Sequence, residues 1–91
     1  MFLLSRALFR YASSFNDTAL NILKKFDKFE LSKYSAGVNT EVYGLDSLDT
    51  VEFIIALESE LLVELTDEEA LGLTSVDSAF KMFSKYKKFD N

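Results

Sequence analysis

Between Ser47 and Leu61 the apolar side chains recur at helical intervals, and this run limits what the chain can fold into more than any other feature. Advancing by about 100° per residue, Thr50, Phe53, Ile54, Leu57 and Leu61 fall on one charge-free stripe, the natural core face. Leu48, Val51 and Ile55 fall opposite, interleaved with Asp49, Glu52, Glu58 and Ser59. A helix that is apolar on two sides buries one in its own core and offers the other to a covering element or to a partner. No segment alternates with period two for long, so strands are not expected.

Three further helices follow from the same reading. The first opens at Asp17, with Asn16 as the alternative cap, and carries the stripe Ala19, Ile22, Leu23, Phe26, with Lys24, Lys25 and Lys28 on the other side. From about Glu30 to Asp46 the period is lost, and Gly37, Asn39 and Gly44 mark a long connection with room for a short turn around Leu31 to Tyr34. Thr66 and Glu69 have capping-box spacing, so a short helix covers Asp67 to about Leu71 and Gly72 ends it. Thr74 and Asp77 repeat the start signal ahead of the stripe Val76, Ala79, Phe80, Phe83, and Lys81, Lys85, Lys87 and Lys88 suit the last turns of that helix. Ninety-one residues, 48% of them hydrophobic, leave room for one core. The expected fold is therefore all-α: a small four-helix bundle of three longer helices and one short one, spanning residues 15–91, behind a separate N-terminal segment.

That segment, residues 1–14, holds Arg6 and Arg10 and no acid. Leu4, Ala7, Leu8 and Tyr11 share one helical face. This is the composition of a mitochondrial targeting peptide, with a retained structural helix or an interfacial anchor as alternatives.

Charge divides the rest. From Glu41 to Ala70 there are ten acids and no base, a formal charge of −10 inside a chain whose net charge is only −5. A general nucleic-acid binder is excluded by that balance, whereas an acidic surface attracts Arg- and Lys-rich partners, a solvated helix face being the plainer alternative. The acids lack the spacing of a calcium-binding EF-hand loop. No apolar run approaches the length of a transmembrane helix. With neither His nor Cys, the chain has no thiol nucleophile, no His- or Cys-ligated metal and no side chain that ordinarily titrates near neutrality. A free-standing enzyme is not expected, and any chemistry done here has to be imported.

Asp46, Ser47, Leu48 and Asp49 open the second helix. A serine there is ordinarily an N-cap. Without a neighbouring base it is no hydrolytic nucleophile, but its hydroxyl could accept a phosphoryl-linked group from another enzyme, and the helix dipole would favour the added negative charge.

The stretch GLDSLDTVEFIIALESEL, Gly44 to Leu61, followed by ELTDEEA, Glu64 to Ala70, closely resembles the acyl carrier proteins, and ILKKFDKFE, Ile22 to Glu30, resembles the first helix of their mitochondrial members. The resemblance covers residues 18–86. It implies that Ser47, flanked by Asp46 and Leu48, receives 4'-phosphopantetheine from coenzyme A through a separate transferase, and that the arm's thiol carries acyl groups as thioesters. It further implies a docking surface for the transferase and the fatty-acid synthesis enzymes, formed by Asp46, Asp49 and Glu52 with Leu48, Val51 and Ile55; Glu58 extends it along the same helix. The implied acyl pocket is lined by Phe53, Ile54, Leu57, Leu61 and Phe80. Mitochondrial relatives also serve as subunits of respiratory complex I and other assemblies, where they dock with leucine-tyrosine-arginine (LYR) motif proteins. The resemblance therefore implies a place in the matrix or on the matrix side of the inner membrane, as a fatty-acid carrier or, alternatively, as chiefly a structural subunit. Val42 and Tyr43 depart from the family's usual acid and leucine ahead of the glycine, and Thr66 replaces its usual proline.

Overall fold

A computed structural model describes residues 14–89. The expected amphipathic segment therefore lies outside the described residues, apart from Ser14. Among the described residues four α-helices follow in order: α1 (Phe15–Leu23), α2 (Ser47–Leu61), α3 (Asp67–Leu71) and α4 (Val76–Phe83). Two 3-10 turns, Leu31–Lys33 and Thr40–Tyr43, punctuate the connection from α1 to α2. No strand occurs among the described residues, and Asn39 and Ser75 form an isolated bridge.

The bounds of α2 and α3 agree with the sequence reading, and the Thr66–Glu69 box is formed as expected. The start of α1 differs. Its cap is Ser14, which accepts from the Asp17 amide while the Asp17 carboxylate accepts from the Ser14 amide. Asp17 closes this box from the third helical position, satisfying two end amides where a lone Asp17 cap would satisfy one. The earlier start also buries Phe15, whose ring meets Phe80 at 5.4 Å and Phe83 at 5.8 Å. The start of α4 is likewise displaced, from Thr74 and Asp77 to a box formed by Ser75 and Ser78. The Asp77 amide donates instead to the carbonyl of Ala36, which fastens the long connection to this helix. Because α4 ends at Phe83, Lys81 alone of the four lysines lies in its last turn, and Lys85, Lys87 and Lys88 follow it.

Phe53, Ile54 and Leu57 of α2 are buried, as are Ala19, Ile22 and Leu23 of α1 and Val76, Ala79 and Phe83 of α4. Leu61, Phe26 and Phe80 are half-buried around them. Thr50, expected on the core stripe, is half-buried and uses its hydroxyl: it lies 2.6 Å from the buried Thr40 hydroxyl and donates to the Asp46 carbonyl at 2.9 Å. The second 3-10 turn, not foreseen from periodicity, is thereby tied to the first turn of α2. Tyr43 closes that 3-10 turn and is fully buried, edge-on to Phe29 and Tyr34. Burial, with the neighbouring Tyr34, pushes its phenol far above the ordinary tyrosine range.

Candidate functional site

The backbone reaches α2 through Gly44, whose φ of 104° lies in the left-handed region and whose Cα faces the Lys28 carbonyl. A Cβ at this position would run into that carbonyl oxygen, so glycine is demanded twice, by φ and by space. Leu45 then points into the core, and Asp46 caps the helix. Asp46 Oδ1 accepts from the Asp49 amide at 2.8 Å, and Asp49 Oδ2 accepts from the Asp46 amide at 3.4 Å.

This reciprocal box changes the standing of Ser47. The ordinary role of a serine at a helix start is already filled by Asp46, so Ser47 occupies the first helical position with its side chain outside the cap and exposed. Thr50 makes the first intrahelical bond, to Asp46, and Asp49 is bonded to the cap. The amides of Ser47 and Leu48 are those that helix geometry leaves open. An exposed primary alcohol beside open amides, at the positive end of a fifteen-residue helix, suits esterification by a phosphate group. Among the described residues, none beside it suits a base. The Asp49 amide, then the Lys28 ammonium, hold the Asp46 carboxyl below the usual carboxylate range.

Around the serine the expected docking residues share an accessible surface. Leu48, Val51 and Ile55 are exposed, at 69%, 38% and 55%. Asp46 and Glu52 are exposed, and Asp49 is half-buried. Glu58 lies farther along and is turned inward, its Oε2 accepting from the Leu65 amide at 2.7 Å. The residues expected to line an acyl pocket lie on the other side: Phe53, Ile54 and Leu57 fully in the core, Leu61 and Phe80 at its edge. Sequence reasoning missed Lys28 as a neighbour of this site. Its Nζ is 3.3 Å from Asp46 Oδ2 and 3.9 Å from Asp49 Oδ2. The signal was Gly44, since a compulsory glycine marks the close passage of another segment.

The family described as "Phosphopantetheine attachment site" matches residues 20–80. Over 82 residues the chain is 37% identical to "Acyl carrier protein 2, mitochondrial" of Arabidopsis thaliana, covering 89% of this chain and 65% of that protein. Over 41 residues it is 58% identical to the acyl carrier protein of Buchnera aphidicola, covering 45% of this chain and 53% of the relative. The chain thus spans less than two thirds of the length of either relative. Acyl carrier proteins are carriers and not catalysts, and the prosthetic group of the family is covalently attached 4'-phosphopantetheine. Among the described residues no helix is long and apolar enough to cross a membrane. The chain belongs to the phosphopantetheine-attachment family, and over 89% of its length it is similar to a mitochondrial acyl carrier protein.

Proposed function

We propose that Ser47 is the attachment residue and that the protein carries acyl chains in mitochondrial fatty-acid synthesis. The observation that supports this most is the exposed Ser47 hydroxyl, relieved of capping by Asp46 and set at the start of α2 inside the matched region. When attached, the arm supplies the terminal thiol that a chain without cysteine lacks, and acyl groups ride on it as thioesters. The protein's own residues supply position and recognition. Helix α2 holds the serine at its positive end, Asp46, Asp49 and Glu52 steer basic partners, and Leu48, Val51 and Ile55 give those partners apolar area to bury. The partners are a phosphopantetheinyl transferase and the synthesis enzymes. Short or medium acyl chains withdraw between Phe53, Ile54, Leu57, Leu61 and Phe80. Incubating the protein with coenzyme A and a phosphopantetheinyl transferase tests this: a single addition is expected, and none with Ser47→Ala. Failure of the unaltered protein to load refutes the assignment.

Residues 1–14 are proposed as the mitochondrial targeting segment. Their boundary falls on Ser14, the cap of α1, so removal upstream of Ser14 keeps the box with Asp17, whereas a cut after it exposes the first amides of α1.

The aliphatic side chains of α2 that no described residue covers favour a second, compatible reading. The same acylated form is held as a structural subunit of a larger assembly, complex I or another, through an LYR-motif partner. Gradient fractionation of gently lysed mitochondria should then place part of the protein in heavy fractions, and its confinement to the top of the gradient opposes this reading.

A further inference from the structure

The acidic stretch from Glu41 to Ala70 contains no base of its own, yet the fold brings one to its front edge. Lys28 is held there by backbone contacts. Its carbonyl packs on Gly44, the Glu30 amide donates to the Tyr43 carbonyl at 2.9 Å, and the Phe29 ring lies 5.5 Å from that of Tyr43. The Lys28 side chain itself is exposed and spans to Asp46 and Asp49. Of the four oxygens on these two carboxylates, Asp46 Oδ1 is engaged by the Asp49 amide and Asp49 Oδ2 by the Asp46 amide. Asp46 Oδ2 is engaged by Lys28. A partner's cation therefore does not meet two free carboxylates; it must share them with the Lys28 ammonium or displace it.

We propose that Lys28 is a built-in competitor for the cation a partner brings to Asp46 and Asp49, and so sets how strongly basic a partner must be to dock beside Ser47. The inference rests on the reading of Ser47 and its surroundings as a docking site. An exposed ammonium–carboxylate pair is weak, so displacement discriminates by about two- to fivefold and does not block docking. Arginine is the partner residue favoured. Its planar fork offers two parallel donors to a carboxylate, where Lys28 offers a point charge, so a guanidinium replaces the lysine more readily than a second lysine does.

Transferase kinetics on the full chain at low salt test the competition, with coenzyme A saturating and the carrier varied. Lys28→Met keeps the aliphatic stem and removes the charge; it should lower the KM for the carrier about two- to fivefold with kcat unchanged, and the gap should close at high salt. Lys28→Arg should raise KM, because a fork grips the same carboxylates more firmly. Lys24→Met deletes an exposed lysine that makes no ion pair among the described residues, and so controls for net charge; it should change KM much less than Lys28→Met. An unchanged or higher KM for Lys28→Met, or an equal fall for Lys24→Met, overturns the competitor role while leaving Ser47 as the attachment residue. If the unaltered protein does not load at all, the reading of Ser47 fails and the competitor falls with it.

Discussion

The two ends of α2 are closed in opposite ways. At the front, four consecutive residues do the work: Gly44 turns the chain at positive φ, Leu45 anchors it, Asp46 caps, and Ser47 is left free. At the back, Leu62 takes the left-handed conformation with φ 58° although it is not glycine, and its side chain is 78% exposed. The Glu58 carbonyl accepts locally from the Leu62 amide and, at 3.2 Å, from the Val63 amide, and one carbonyl finds a distant donor. Lys87 donates to the Leu61 carbonyl at 3.0 Å from 26 residues away, and the inward-turned Glu58 takes the Leu65 amide. The front end is thus capped by its own residues, with Lys28 packed against it through its carbonyl and reaching its carboxylates, while the back end adds to its local bonds one from the tail. The proposed attachment residue, Ser47, is exposed at the end that the tail does not reach.

Gly44→Ala gives the largest effect this contrast predicts. A methyl group there meets the Lys28 carbonyl in a conformation that L-residues avoid, so a loss of about 3 kcal/mol is expected in urea unfolding. A loss under about 0.5 kcal/mol would remove the front end's claim to a demanded glycine. The reverse exchange at the other end has the opposite sign. Leu62→Gly relieves a left-handed leucine that buries little, and a gain of up to about 1 kcal/mol is expected. Smaller still is Lys87→Met, which deletes one exposed bond to the Leu61 carbonyl and should lower stability by about 0.5 kcal/mol.

Acid sharpens the contrast without a fixed magnitude. The folded pKa of Asp46 is depressed, so the unfolded chain binds the proton more readily, and the stabilisation is fully present above the ordinary carboxylate pKa. It is lost as pH falls through the folded value. The urea midpoint should therefore fall on acidification below about pH 4, less steeply in Asp46→Asn. Glu69, lowered first by the Thr66 amide and then by the Tyr86 hydroxyl, leaves a residual slope of the same sign.

These two ends also show what could be read in advance. Helix α2 and the Thr66–Glu69 box were legible because both are written within a few residues: a charge-free stripe, a capping pair, an acid-rich first turn. Where two neighbours could both cap, as with Ser14 against Asp17 or Ser75 against Thr74, the choice was made by tertiary burial. Phe15 gains the core by the earlier start, and Asp77 is claimed by Ala36. Contacts such as Lys87 with Leu61, Tyr86 with Glu69, and Lys28 with Asp46 have no periodic signature, since they arise only once the helices are packed. Ser47 was legible as a candidate by type and place. The helix start alone left open whether its hydroxyl was spent as a cap, which the Asp46–Asp49 box resolves in favour of a free serine.

Intact-mass analysis of the protein purified from its own cells, paired with Ser47→Ala expressed there, tests the central claim most directly. The account predicts one phosphopantetheine addition, with or without an acyl chain, on the native protein and none on the variant. A native protein without the addition, or an addition that survives Ser47→Ala, would contradict it.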